Sequence, residues 1–324
     1  MRIARGLAVL GGLFFAVWLV REIGPGGLWA ELSGLSWRLA LLMLPQALVS
    51  LLDGVGWRYA FPERRPSVGA AVTIRLAGEA VNDTTPTGQL GGDAVKAWLV
   101  GRAGIPLAEG LVAAVVGKTA LVTSQVAFLV VGLTALRGRP GAAPALATGL
   151  SILAVTGLAA AAGFLWAQAR GLFRTGSRAL EWVGLGGRVS AAAARLDADL
   201  RRYYRHRRGR LAVAIGLHLL GWLAGALEVW LALRFLGAPI SLDVAVVIEA
   251  AATGVRSAGF LIPASLGIQE GGLVAIFAAL GLGGPLGLTF GVVRRVREAT
   301  WILVGYACLA VWGGVTAPVA EPGA

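Results

Sequence analysis

The residues of this sequence that could do chemistry are charged side chains standing inside apolar runs. Arg75, Glu79, Asp93, Lys96, Lys118, Glu249, Arg256, Glu270, Arg294, Arg295, Arg297 and Glu298 all fall in such runs. A charge at the centre of a bilayer costs about 2.5–3.5 kcal/mol on insertion scales, so a charge kept there is paired or binds something. Arg75 and Glu79 are spaced i,i+4 on one helix face, and Glu249 and Arg256 stand seven apart, also on one face. For both couples ion pairing competes with substrate contact. Asp93 can cap a short helix or handle protons or cations, and Glu270 reads the same way. Lys118 lies deep in an apolar stretch, where it would meet a lipid phosphate or a nearby acid. Arg294, Arg295 and Arg297 sit far from the ends of the last apolar block. Snorkelling is one account of them and a phosphate site is the other.

The remaining polar residues exclude more than they propose. One cysteine, Cys308, rules out a disulfide within the chain, and His206 and His218 alone cannot build a histidine metal centre. His218 stands one turn from Trp222 with Glu228 ten residues on, the setting of a satisfied core histidine rather than a proton relay. Asp197 and Asp199 have the DxD spacing of metal-dependent glycosyltransferases, but solvated charge is the default in an arginine-rich loop. There is no metal constellation, activated nucleophile or nucleotide-binding loop. No catalytic residue, metal or cofactor is expected.

These side chains need hydrocarbon-spanning elements to position them. The 324 residues are 57% hydrophobic and only 14% charged, with mean hydropathy +0.75, whereas soluble domains carry about 25% charged residues. The apolar residues come in blocks, which predicts an all-α integral membrane protein. About six crossings are expected: 3–20, 39–57, 107–136, 145–167, 211–235 and 285–315. The first has charged flanks and no small-x-small cleavage pattern, so it reads as a retained helix rather than a signal peptide. The net charge of +12 could suggest nucleic acid, but its distribution argues against that partner. Eleven arginines against Glu181, Asp197 and Asp199 place +8 between Arg170 and Arg210. Such a loop faces the cytoplasm, as do Arg2, Arg5 and the cluster from Arg58 to Arg65, so the N-terminus is expected to be cytoplasmic. Trp182, Val183, Leu185, Val189 and Leu196 alternate with these arginines, and part of the loop is expected to lie on the membrane surface.

Two apolar regions, 68–100 and 242–282, are broken by polar, Pro/Gly-rich middles. In the first, arms 68–81 and 93–100 are shorter than the ~20 residues of a spanning helix, so it is expected to be a re-entrant hairpin. Sliding the chain by 177 residues lays Pro86 on Pro263, Asp93 on Glu270, Glu79 on Arg256 and Lys118 on Arg295. Crossing, hairpin and crossing then occur twice, with three crossings between the hairpins, so the hairpins enter from opposite faces. One transmembrane domain spanning 1–324 is expected, with repeats at about 39–136 and 211–315 and a basic cytoplasmic loop at 168–210. The polar middles would meet near the midplane and line a cavity. Half-helix N-termini after Pro86 and Pro263 would point positive dipole ends into it. Asn82 would bind freed backbone, and Gly88, Gly91 and Gly92 would let a headgroup approach.

The stretch NDTTPTGQLGGDAVK (82–96) resembles the signature of the lysylphosphatidylglycerol synthase transmembrane-region family, also called flippase-like membrane proteins. FLIPASLGIQEGG (260–272) is similar to its second signature, and VVRRVREATWILVG looks like the hopanoid biosynthesis-associated branch. Lys96 stands where the family usually has Arg, which keeps the charge but loses bidentate anion binding. Ala264 and Ser265 replace frequent glycines. The soluble aminoacyl-transfer domain is not expected here, so lysine transfer to lipid is not implied. The resemblance implies a lipid translocator of the bacterial inner membrane, for a hopanoid, polyprenoid or phospholipid. Besides the charged residues above except Arg297 and Glu298, the expected substrate contacts are Asn82, Pro86, Gly88, Gly91, Gly92, Pro263, Gly267 and Gln269. An integral-membrane transferase using Asp93 and Glu270 as acid and base, or a scaffold, is the alternative. Membrane lipids are the expected partners, with lipid-biosynthesis enzymes as further candidates; the oligomeric state is left open.

Overall fold

A computed structural model describes residues 25–85, 87, 90–138, 143–181, 187–259, 265 and 267–314. The expected crossing 3–20, and Trp182, Val183 and Leu185 of the loop, lie outside the described residues. So do Pro86, Gly88 and Pro263.

The described residues form helices: α1 (Pro25–Arg58), α2 (Val68–Thr84), α3 (Leu90–Arg102), α4 (Leu107–Arg137), α5 (Pro144–Ala169), α6 (Leu172–Glu181), α7 (Gly187–His206), α8 (Arg208–Phe235), α9 (Leu242–Ala258), α10 (Ile268–Ala279) and α11 (Gly284–Gly314). Four segments are long and apolar enough to cross a membrane: Ala40–Arg58, Leu107–Arg137, Pro144–Ala169 and Arg208–Phe235. They match four of the expected crossings. Helix α11 has the length for a fifth, 31 residues, but carries Arg294, Arg295, Arg297 and Glu298 midway. The outermost helix, α5, presents Ile152, Val155, Leu158 and Trp166 outward, as a lipid-facing surface requires. The protein is a multi-pass helical membrane protein.

The interrupted regions are helical pairs with arms of 17 and 13 residues (α2, α3) and of 17 and 12 residues (α9, α10). Each arm is below a full span. Local chemistry sets their ends. The Ser67 hydroxyl accepts from the Ala70 amide to start α2, and the extended backbone of Thr85 (φ −120°, ψ 140°) stops it. Extended geometry is what a residue before proline prefers. Gly267 precedes α10 at φ 73°, a left-handed conformation that favours glycine.

Packing follows a repeated scheme. Helix α1 lies against α8. Helix α2 packs on α11, and α9 packs on α4. In both of the latter contacts a glycine removes the side chain between helices. A Cβ on Gly305 would lie 2.4 Å from the Leu76 carbonyl oxygen, and one on Gly132 would lie 2.4 Å from the Ala250 Cβ.

Helices α6 and α7 pack on each other beside the ends of the spans. Asp197 is buried and accepts from the amides of Phe173 (3.2 Å) and Arg174 (2.8 Å). This corrects the solvated reading of the Asp197-x-Asp199 pair: Asp197 caps the first turn of α6. The Tyr203 hydroxyl donates to the Tyr59 carbonyl (2.6 Å) and fixes α7 beneath the end of α1. Burial pushes the Tyr203 phenol up to about 12. Asp197→Ala is expected to destabilise the loop by about 1–2 kcal/mol, the range of a lost helix cap. Limited proteolysis of the 170–210 region in detergent should then speed up about tenfold, with the spans intact.

Candidate functional site

The buried charges expected from the sequence come together by pairing. On the side of α1 to α4 they form one chain. Arg75 reaches Asp53 at 2.7 Å and Glu79 at 3.9 Å. Lys96 reaches Glu79 at 3.3 Å and Asp93 at 2.6 Å, and Lys118 reaches Asp93 at 3.5 Å. Asp53 also bonds His218 Nδ1 at 2.5 Å. Three acids thus face three bases. The expected couple Arg75–Glu79 exists, but the nearer partner of Arg75 is Asp53, from another helix.

The second group belongs to α8 to α11. Glu249 pairs with Arg294 and, at 3.8 Å, with Arg256. Arg295 pairs with Glu270 at 2.5 Å and Glu298 at 2.8 Å. Arg297 pairs with Glu228 and, at 3.5 Å, with Glu298. Gln269 donates to Glu298 at 2.9 Å, and Arg297 also reaches Gln46 at 3.0 Å. Four acids face four bases. Arg294, Arg295 and Arg297 are buried and paired with carboxylates, rather than snorkelling to an interface. Asp93–Lys118 and Glu270–Arg295 are an offset-matched couple: adding 177 to the first pair gives the second. Glu270 also accepts from the Gly267 amide (2.9 Å) and so caps α10, whereas Asp93 turns to Lys96 and Lys118.

Between these groups lies a cavity of about 200 Å³. Its walls include Gln46, Ser50 and Asp53 of α1, Arg75, Glu79 and Asp83 of α2, and Trp222 and Gly225 of α8. Glu249 and Arg256 of α9 and Arg297, Glu298 and Trp301 of α11 complete it. Of the expected contacts, Arg75, Glu79, Glu249 and Arg256 line the cavity directly. Asp93, Lys96, Lys118, Gln269, Glu270, Arg294 and Arg295 stand behind it in the paired network. Asn82, Gly91, Gly92 and Gly267 serve the helix ends and are not on its wall. Asp53, Asp83, Glu228 and Trp301 were not singled out as contacts. Asp53 had a signal, a lone acid in the apolar run 39–57. Trp301 had none, since tryptophan in an apolar helix is ordinary.

Two buried nitrogens of the wall, Arg297 Nε and Trp301 Nε1, have no hydrogen-bond partner among the described residues. They are donors available to an oxygen-rich ligand. Among the described residues no group of three or more His, Cys, Asp or Glu is placed to hold a metal ion.

Helices α2 and α3 approach closely at Gly78 and Gly92. The Asn82 side chain accepts from the Gly92 amide at 2.8 Å, the expected rescue of backbone at the break. A Cβ on Gly92 would fall 2.1 Å from the Gly78 carbonyl oxygen and 2.5 Å from Asn82.

A membrane-embedded helical protein with a cavity walled by neutralised ion pairs is the class that fold and site define. The chain belongs to the family described as the lysylphosphatidylglycerol synthase TM region, whose model matches residues 3–305. No curated protein and no solved structure is a significant match.

Two stability predictions follow from this geometry. Gly92→Ala must push α2 and α3 apart against main-chain atoms and is expected to cost about 3 kcal/mol or more, at the upper end of overpacking. Its thermal unfolding in detergent should fall well below that of Gly91→Ala, whose Cβ would meet first the Thr87 side chain rather than main chain. Glu228→Gln leaves Arg297 with one ionised partner instead of two and is expected to cost about 3 kcal/mol, as breaking buried pairs does. Adding Arg297→Met should restore part of that loss in a double-mutant cycle.

Proposed function

We propose that this protein translocates a lipid by passing its polar head through the charged cavity while the tails stay in the bilayer. The carrying observation is the cavity wall, with paired charges, unpartnered donors on Arg297 and Trp301, and helix ends from both interrupted pairs nearby. A head bearing phosphate or hydroxyls could exchange contacts with Arg75, Arg256 and Arg297 without leaving a charge bare. Membership of a family of lipid-related membrane domains supports the reading.

The architecture we propose is an inverted repeat: α1 to α4 as one unit, α8 to α11 as the other, and α2–α3 and α9–α10 as oppositely inserted re-entrant hairpins. Support comes from the reciprocal packing of α2 on α11 and α9 on α4, and from the matched pairs Asp93–Lys118 and Glu270–Arg295. Rocking of one unit against the other along the α1–α8 seam would open the cavity to either leaflet. We place the protein in the bacterial inner membrane with the basic 170–210 loop and the N-terminus cytoplasmic. Arg201, Arg202, Arg205 and Arg208 rim a crevice between α5, α7 and α8, where anionic headgroups would gather. A hopanoid or other polyprenoid is the cargo suggested by the resemblance in the final crossing, with phospholipid as the alternative.

The test is leaflet-resolved movement of labelled hopanoid and phospholipid in proteoliposomes, wild type against Asp93→Asn, with mass analysis of the same samples. Movement is expected for wild type. It should fall at least tenfold in the variant, because Asp93 holds both Lys96 and Lys118. Lipid masses should stay unchanged. A new lipid mass without movement would overturn the translocator reading in favour of a transferase.

A further inference from the structure

His218 is fully buried, ten residues inside α8, about 15 Å from the start of the helix. Its Nδ1 bonds Asp53 of α1, and its Nε2 has no hydrogen-bond partner among the described residues. Asp53 lines the cavity and also holds Arg75, another wall residue. One carboxylate is therefore shared between an imidazole that can gain a proton and a guanidinium that faces the cavity.

The charges around this pair are closed. From α1, Asp53 faces the ring directly. From α2, Arg75 and Glu79 face Asp53, and behind them Lys96 and Asp93 of α3 and Lys118 of α4 complete three acids against three bases. On α8 itself Glu228 is held by Arg297 of α11, and from α9 Glu249 is held by Arg294 of α11. At the end of α7, Arg201, Arg202 and Arg205 are exposed. With His218 neutral the chain on this side sums to zero. A proton on His218 adds one positive charge to this chain, and a negative charge entering beside Arg75 would balance it. Asp83 is a second titratable carboxylate on the cavity wall, so the titration below is repeated in Asp83→Asn to assign the linked proton to His218.

We propose that the Asp53–His218 pair is a proton-binding site linked to the cavity, so that a proton on His218 and a phosphate-bearing lipid head against Arg75 bind together. The protonated ring draws Asp53 toward itself and loosens its hold on Arg75, and the freed guanidinium takes the phosphate. Release of either ligand favours release of the other, because the linkage is reciprocal. The proposal rests on the headgroup-binding reading of the cavity but not on movement between leaflets. It makes the device a proton-coupled one, with the proton carried at the seam between α1 and α8.

Only two histidines are present, so imidazole NMR can follow the site directly. The experiment uses full-length protein with ¹⁵N-labelled histidine and His206→Asn, in uncharged detergent micelles. His218 is titrated between pH 5 and 8 without addition, with short-chain phosphatidylglycerol, with short-chain phosphatidylcholine, and with inorganic phosphate. The midpoint is expected to rise by about one unit with phosphatidylglycerol, equivalent to about tenfold tighter lipid binding to the protonated form. The shift should vanish in Arg75→Gln while His218 still titrates, which separates lost linkage from lost folding. A ring that does not titrate, or a midpoint indifferent to phosphatidylglycerol, overturns the proposal. A shift with inorganic phosphate but with neither lipid overturns the assignment of a lipid phosphate. Lipid binding without linkage leaves the headgroup reading standing and sinks only the proton site. No lipid binding by either form sinks both.

Discussion

Neutralisation of charge across helices is the constraint on which this structure depends. Each base of α11 is answered by an acid that another helix supplies: Glu249 from α9, Glu270 from α10 and Glu228 from α8. Arg75 of α2 is answered by Asp53 of α1, and Lys118 of α4 by Asp93 of α3. A lone charge in hydrocarbon costs a few kcal/mol, and breaking a buried pair costs about 3–5 kcal/mol. Helices joined by such pairs cannot drift apart without exposing a charge, so the pairs fix register as well as position. This explains how a 31-residue helix with four adjacent charges can sit in the bundle at all.

The same arrangement keeps the interior adaptable. Glu79, Asp93, Glu249 and Glu298 each face two bases, and Asp53 faces a base and an imidazole. Shared carboxylates can lean toward one partner and release the other without becoming unpaired. A purely apolar core offers no such exchange. The glycine contacts at Gly92 and Gly305 do the opposite, holding helices against main-chain atoms that cannot yield. Rigid seams and exchangeable pairs together suit the proposed passage of a polar head between two units.

Much of the architecture was legible because hydrophobic blocks, breaks and charges are one-dimensional signals. Four expected crossings match spans to within a few residues, and the broken regions are the paired short helices. The 177-residue offset placed Asp93 over Glu270 and Lys118 over Arg295, and both couples meet in space. What the sequence hid was partner choice. Arg75 was read against Glu79 because i,i+4 spacing is visible, whereas Asp53 lies 22 residues away and reaches it only through packing of α1 on α2. Asp197 looked solvated because its neighbours are arginines, yet two amide bonds bury it. His218 was read with Trp222 and Glu228 on its own helix. Trp222 donates to Ser124, Glu228 goes to Arg297, and the ring meets Asp53.

The central claim is that the charged cavity is a water-accessible passage for a headgroup and not a dry ion-pair core. It is tested most directly by replacing Ser50, a near-isosteric wall position, with cysteine in a Cys308→Ser background. Oriented vesicles are then treated with a membrane-impermeant maleimide from one side or the other. Thiols react as thiolates and need water. The account predicts labelling from both sides, slowed several-fold by the transported lipid. Absence of labelling from either side, in protein that labels fully once unfolded, would contradict it and leave the network as structural support alone.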